Sequence, residues 1–134
     1  PFDARAPIDA ARACLLYGNV RVQARGADRE ELCGIRHGDC AGYKYIDFGA
    51  GAGSVMFRVA PGDEPARIDL MLDQMWSAPI TSVDVPGGGD GRTMTELVAR
   101  VGPVKGVHAV WLRFRGRGDD LCRVDSFRFG DGPS

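Results

Sequence analysis

The sequence lacks the features that direct a chain to nucleic acid or to membranes. Its 134 residues carry a net charge of only −1, so no overall field steers the protein to a polyanion or an anionic bilayer. No apolar run is long enough to span a membrane, and no secretory signal segment is visible. We therefore expect neither nucleic acid nor a membrane as a partner.

The sequence also has little that resembles a catalytic site. Its two histidines, His37 and His108, lie far apart, and His108 falls on the apolar side of its segment. No serine stands in a nucleophile-elbow sequence. The glycine-rich run at 49–53 lacks the helix and Lys-Ser/Thr of a phosphate loop. The sequence alone does not exclude a pair of carboxylates that would hydrolyse glycosidic bonds. We nevertheless predict that the chain is not an enzyme.

Helix signals are scarce, whereas turn residues are abundant. Nineteen glycines and eight prolines separate about nine short segments that alternate between apolar and polar residues, as half-buried antiparallel strands do. The clearest is 67–73, where Ile68, Leu70 and Leu72 share one face. The sequence therefore predicts an all-β antiparallel β-sandwich. We expect one domain over residues 1–134, cut from a larger protein because the chain opens without Met.

The C-terminal part contains the strongest strand pattern. Residues 106–114 and 121–129 both alternate, and both are rich in β-branched and aromatic side chains. The segment between them, 115–120, is Arg-Gly-Arg-Gly-Asp-Asp, which is typical of a turn. The pattern predicts a β-hairpin at the heart of the fold.

Five segments in this order resemble the family 6 carbohydrate-binding modules: residues 38–49, 57–60, 67–73, 106–114 and 125–129. Gly-Val-His leading into an alternating strand, with Asp-x-Phe-x-Phe near the end, is the most specific part of the match. The resemblance covers nearly the whole chain. It implies a jelly-roll β-sandwich that is linked to a secreted polysaccharide-degrading enzyme and has no activity of its own.

The same resemblance implies a sugar-binding cleft in the loops at one end, but this sequence departs from it. The cleft aromatics are replaced by Gly34 or Ile35, by Arg92 or Met94, and by Cys40, and Arg123 stands in place of an Asn. Arg36, Arg92 and Arg123 would gather there. Because arginine suits carboxylate and sulfate groups, an acidic or sulfated polysaccharide is one expectation; arginines that only aid solubility are the alternative.

The resemblance also implies a second site on the open face of one sheet. Trp111 and Arg113 share the outward side of their strand, as Asp69 and Met71 do on theirs. Trp111 is then either a sugar contact or a side chain covered by a loop, and Trp76 is another exposed aromatic. The expected carbohydrate contacts are Arg36, His37, Asp39, Arg92, Arg123 and Trp111.

The same resemblance implies a structural calcium ion and disulfide bonds. A structural calcium ion between the first and last strands would use Asp9 and Asp125, although Ala11 replaces a further acid. If those strands pair, Cys14 falls near Cys122, which leaves Cys33 and Cys40 as the second disulfide; a Cys14–Cys33 bridge is the alternative. Paired cysteines would indicate an oxidising, extracellular location.

These observations lead to one functional hypothesis with one alternative. The chain would bind a polysaccharide or oligosaccharide and tether a covalently linked catalytic domain to it, which raises the local substrate concentration. The alternative is a structural module of a secreted glycoside hydrolase that has lost sugar binding.

Overall fold

The computed structural model describes residues 1–131, which form two packed β-sheets. The chain runs β1 (Phe2–Asp3), β2 (Ile8–Asp9), a 3₁₀ turn (Ala10–Arg12), β3 (Leu15–Tyr17), β4 (Arg21–Ala24), β5 (Glu30–Cys33), β6 (Cys40–Asp47), β7 (Ala52–Pro61), β8 (Ala66–Leu72), β9 (Thr81–Val85), β10 (Thr95–Val104), β11 (Val107–Gly116) and β12 (Cys122–Gly130). The described chain contains no α-helix. No helix in this range is long and apolar enough to cross a bilayer.

The strands divide into two six-stranded sheets. Sheet A has the order β1-β6-β11-β8-β9, with β3 also paired to β6. Sheet B has the order β10-β7-β12-β5-β4, with β2 also paired to β12. All of these pairings are antiparallel except that of β1 with β6. The predicted all-β antiparallel sandwich is confirmed, although very short strands raise the number above nine.

Apolar residues on the inward faces of both sheets form one core. Ile68 and Leu70 are fully buried, as their alternation predicts. Across the core, Tyr43 of sheet A meets Phe127 of sheet B edge to face, with ring centroids 4.8 Å apart. The Tyr43 hydroxyl donates to the Ala10 carbonyl at 2.7 Å, so its polar atom is satisfied inside the core.

The predicted C-terminal hairpin is wrong. Its two arms are β11 and β12, but β11 pairs with β6 and β8 in sheet A, whereas β12 pairs with β7, β5 and β2 in sheet B. The segment 117–121 therefore crosses from one sheet to the other. Each strand has an apolar face that points to the same core, so alternation is equally compatible with both arrangements.

The N-terminal segment ties the two sheets together. Within residues 6–13, the chain forms the short β2 and the 3₁₀ turn. Asp9 lies opposite Ser126, so the predicted pairing of the first and last strands is present. The chain then leaves sheet B, and Cys14 donates its backbone N–H to Gly42 in sheet A at 2.8 Å.

Candidate functional site

Four loops come together at one end of the sandwich, where the strand termini bring them. They are residues 34–39, 62–65, 86–94 and 117–121. The first and third contain four of the predicted sugar contacts: Arg36, His37, Asp39 and Arg92. None of the four loops contains a Phe, Tyr or Trp. These four loops therefore supply no aromatic platform of their own for a sugar ring. The Tyr17 ring borders them, because Tyr17 pairs with Cys40, the residue after the first loop.

The polar side chains of this loop end mostly bind the loops themselves. The buried Asp39 carboxylate accepts the backbone N–H of Arg36 at 2.9 Å. His37 accepts the Gly116 N–H through Nδ1 at 3.1 Å. The Arg36 guanidinium lies 3.7 Å from Asp119, and both side chains are exposed. These contacts hold the loops in place, and they leave Arg36 loosely paired at the surface.

The three predicted arginines do not gather at the loop end. Arg123 projects from β12 onto the outer face of sheet B, where its Nη1 lies 3.4 Å from the Glu31 carboxylate. Arg92 is in the 86–94 loop, whose backbone is held by the Asp90 side chain. The resemblance assigned all three to one cleft, but Arg123 alternates with Val124 of the core, which turns its side chain away.

The outer face of sheet A carries a different set of groups. One row across five strands is Tyr17, Cys40, Arg113, Asp69 and Ser82, each the direct register partner of the next. The adjoining row contains Leu15, Gly42, Trp111 and Met71. We call these two rows the sheet-A face. Neighbouring strands are about 4.8 Å apart, so Tyr17 and Arg113 are separated by roughly 10 Å over the small Cys40.

Asp69 organises the polar side of this face. Its carboxylate is fully buried, and it accepts hydrogen bonds from Ser82 Oγ at 2.6 Å, Arg113 Nη2 at 3.0 Å and Arg115 Nη2 at 3.1 Å. Burial alone would raise the pKa of Asp69, but the hydrogen bonds from Ser82 and Arg113 and the charge of Arg115 outweigh it. The pKa is therefore lowered, and the two guanidinium groups are held against the sheet.

Trp111 lies flat in the other row. It is only 8% exposed, and its six-membered ring covers Gly42, where an added Cβ would approach Cζ3 to 2.5 Å. Its Nε1–H has no hydrogen-bond partner among the residues that the structure describes. The outward parity predicted for Trp111, Asp69 and Met71 is present, but all three side chains are buried. Of the two alternatives for Trp111, its burial favours the covered side chain. The exposed aromatic side chain of the sheet-A face is Tyr17, at 61%.

A match to a known family decides what these surfaces belong to. The model of the carbohydrate-binding modules of family 6 matches residues 15–131, which is most of the chain. The chain belongs to this family. The resemblance seen in the sequence is thereby confirmed.

Solved structures agree with this assignment. A family 6 module from Clostridium stercorarium, solved with cellobiose, superposes with a TM-score of 0.89 at 27% identity and covers 98% of this chain and 97% of that one. A module from Clostridium cellulolyticum, solved with xylose, gives 0.86 at 27% identity over 96% and 99%.

A longer enzyme contains a similar module. The arabinoxylan arabinofuranohydrolase of Bacillus subtilis is 26% identical over 103 residues, which are 76% of this chain and 20% of that protein. Its structure, solved with cellotetraose, superposes with a TM-score of 0.86 over 97% of this chain and 28% of that one. The module thus spans about a fifth of the length of this curated relative.

The two predicted calcium ligands lie close together but are bound to arginine. Asp125 is only 1% exposed, and both of its carboxylate oxygens accept from Arg29 Nη2 at 2.7 Å. The same Nη2 lies 3.7 Å from Asp9, and Ala11 supplies no carboxylate. Across residues 1–131, no group of three or more His, Cys, Asp or Glu side chains is placed to hold a metal. The residues present therefore do not fit a calcium ion.

Neither predicted disulfide is formed among the described residues, in which Cys14, Cys33, Cys40 and Cys122 are all free thiols. The reason is that each expected pair is divided between the sheets. The 3₁₀ turn carries Cys14 to sheet A, while Cys122 is in sheet B opposite Pro61. Cys33 pairs within sheet B and Cys40 within sheet A. The alternative Cys14–Cys33 bridge is absent for the same reason.

The two histidines lie at opposite ends of β11. His37 contacts Gly116 at one end, while His108, near the other, lies between the Asp73 carboxylate at 3.0 Å and the Lys105 carbonyl at 2.8 Å. Eight residues of strand separate the two ends by about 26 Å. The two imidazoles therefore cannot serve one site.

Sequence analysis missed Tyr17 and the pair Arg25 and Arg29. Tyr17 lies in β3, whose three residues are too few to show alternation. Arg25 and Arg29 lie in a short charged segment, and nothing in the nearby sequence links them to Asp125, about a hundred residues away. Trp76 is 75% exposed in the loop after β8, as expected.

Proposed function

We propose that this module binds a polysaccharide and tethers a linked glycan-active enzyme to it, without catalysing a reaction itself, in a secreted protein. The similar segment of the Bacillus subtilis arabinofuranohydrolase supports the link to an enzyme, because it is a minor part of that longer chain. The separation of the two histidines and the pairing of the buried carboxylates with arginine support a binding role over a hydrolytic one.

The sheet-A face is the proposed binding surface. The observation that carries this choice is the exposed Tyr17 ring on the same face as the partly exposed Arg113 guanidinium. An exposed aromatic offers an apolar face for the C–H side of a sugar ring. The remaining guanidinium donors of Arg113 and Arg115, which are partly exposed, can bind its hydroxyl groups. The loop end offers polar groups but no ring to stack on.

A neutral β-linked glycan fits this face better than an acidic one. Arg113 and Arg115 already share the Asp69 carboxylate, so much of their charge is compensated, while their spare N–H groups can still donate to hydroxyls. The three arginines that motivated an acidic glycan are not gathered. Two similar modules were solved with cellobiose and with xylose, which makes cellulose- and xylan-type chains the first ligands to try.

The test is a binding panel with two tyrosine variants. Isothermal titration with cello- and xylo-oligosaccharides, together with retention on insoluble and acidic polysaccharides, should show weak but specific binding. Tyr17→Ala should lose about 1 kcal/mol of stacking, which is roughly fivefold in Kd. Tyr45→Ala is the matched control, because Tyr45 is similarly exposed but lies far from Tyr17. It is five residues along β6 from Cys40, the strand partner of Tyr17, which is a distance of about 16 Å.

Other outcomes would point elsewhere. Retention on none of the polysaccharides would refute the proposal and favour the structural module. Loss of binding in Arg36→Ala or Arg92→Ala, with Tyr17→Ala unaffected, would place the site at the loop end. Hydrolysis of any ligand by the isolated chain would revive an enzyme.

A further inference from the structure

An arginine–carboxylate cluster covers the outer face of sheet B around the last strand. It consists of the carboxylates of Asp9, Glu31 and Asp125 and the guanidinium groups of Arg25, Arg29, Arg58 and Arg123. Glu31 and Asp125 are each only 1% exposed. Carboxylates this deeply buried need a cation or hydrogen-bond donors close by. The cluster therefore has a structural role that the sugar-binding proposal does not use.

The Arg29 guanidinium in this cluster lies where the family resemblance would place a structural calcium ion. Asp9 is on the first strand to join sheet B and faces Ser126, the neighbour of Asp125. Arg29 Nη2 lies between them, 2.7 Å from both Asp125 oxygens and 3.7 Å from an Asp9 oxygen. It thus occupies the space between the two carboxylates that sequence comparison assigned to calcium.

A second arginine reinforces the first. Arg25 Nη2 donates to Asp125 Oδ1 at 2.9 Å, and its Nε lies 3.3 Å from Glu31. Both arginines come from the turn between β4 and β5, which is closed by a hydrogen bond from the Arg25 N–H to the Arg29 carbonyl at 2.7 Å. The turn therefore presents both side chains to the last strand as one unit.

The charge balance opposes a metal ion at this position. Three carboxylates face four guanidinium groups, so a divalent cation would enter a cluster that already has more positive than negative groups. Calcium also requires six to eight oxygen ligands. Of the three carboxylates in this cluster, Asp9 alone keeps water access, since it is about half exposed, and Ala11 adds no further carboxylate.

We infer that Arg29, supported by Arg25, replaces the structural calcium ion, so that this module folds and remains stable without calcium. The guanidinium ties the β4–β5 turn and the first strand to the last strand, as a bound ion would tie the first strand to the last. Unlike an ion, it cannot be removed by a chelator. This inference is independent of which surface binds sugar.

The first test uses the wild-type chain, so it does not depend on a variant folding. Thermal unfolding is measured in millimolar CaCl₂ and in EGTA, with a calcium titration by calorimetry. We expect the same Tm in both and no heat of binding. A site filled to 100 times its Kd would raise the Tm by roughly 10 °C. A rise of that size, or a fall in EGTA, would overturn the inference.

The second test converts the cluster back to a metal site. The double variant Ala11→Glu with Arg29→Gln removes the internal cation and adds a carboxylate beside Asp9. Its Tm in EGTA should lie well below that of the wild type and should rise by several degrees in CaCl₂. If the Tm of the double variant were the same in EGTA and in CaCl₂, Arg29 would not occupy a cation site.

Two single variants separate charge from packing. Arg29→Lys keeps a positive charge and should retain more of the Tm than Arg29→Gln. Arg58→Gln is the matched control, because Arg58 is half exposed and comes no nearer to Asp125 than 3.7 Å. Its loss should therefore change the Tm little. If Arg58→Gln and Arg29→Gln were equally destabilised, Arg29 would have no special place, and the inference would fail.

Discussion

Gly42→Ala should destabilise the module because of the ring that lies on Gly42. A Cβ built there would be 2.5 Å from Trp111 Cζ3 and 2.7 Å from Cε3 and Cη2, and carbon atoms do not approach so closely. Either the indole tilts away from the sheet or β6 shifts. Forced displacements of this kind typically cost about 1–3 kcal/mol. For a domain of this size, this corresponds to a Tm lower by roughly 3–12 °C.

The measurement combines stability with the environment of the indole. Thermal and urea unfolding give the free energy, and acrylamide quenching in a Trp76→Phe background reports Trp111 alone, which should become more accessible. Gly102→Ala is the control, because Gly102 is also in a strand and a Cβ there meets nothing within 4 Å. If both variants unfolded at the same temperature, the close packing of the ring on Gly42 would be refuted. Weaker oligosaccharide binding in Gly42→Ala alone would further support the sheet-A face.

Three further predictions concern buried polar groups and thiols. Burial would raise the pKa values of Asp69 and Asp125, but hydrogen bonds from Ser82 and Arg113 to Asp69, and from Arg29 and Arg25 to Asp125, outweigh it and lower both pKa values. Their contribution to stability is therefore complete above about pH 5 and is lost as pH falls below about 4. Urea unfolding that is unchanged down to pH 3 would contradict this prediction. Tyr43→Phe should cost about 1 kcal/mol, measured by urea unfolding, because it removes the shorter of two hydrogen bonds to the buried Ala10 carbonyl and leaves only the one from the Ala13 N–H at 3.4 Å. Burial raises the pKa of Cys122 to about 12, whereas Cys14 is exposed, so alkylation of the folded chain followed by mass spectrometry should label Cys14 first.

The strands could largely be predicted from the sequence, but their partners could not. Alternation in β8 correctly placed Ile68 and Leu70 inside, because period-two patterning determines which side of a strand is buried. It does not determine which strand lies beside it. The polar turn at 115–120 suits a hairpin and a crossing between sheets equally well, and only the packing of both sheets on one core separates the two. The same limit applies to Cys14, whose 3₁₀ turn changes its sheet.

The sequence predicted which sugar-binding aromatics are missing better than it predicted which side chains form the candidate site. The missing aromatics of the loop end are evident in the sequence, since Gly34, Arg92 and Cys40 cannot stack on a sugar. The parity of Trp111 was also correct, but parity does not show what lies over a side chain. The role of Tyr17 depends on a three-residue strand that is stable only because β6 offers an edge. Short edge strands of this kind carry too little pattern to be recognised alone.

The outer faces of the two sheets share one arrangement, a buried aspartate paired with arginines, but it has a different consequence on each face. Each has a buried aspartate held by arginines: Asp69 by two from its own sheet face, and Asp125 by Arg29 and Arg25 from a turn. On sheet A the held guanidinium groups lie beside Tyr17, so a sugar would meet donors that are already ordered and would cost less side-chain entropy to bind. On sheet B the guanidinium groups lie between carboxylates that join three segments of the chain. The same pairing therefore orders donors on the proposed binding face and joins segments of the chain on the other face.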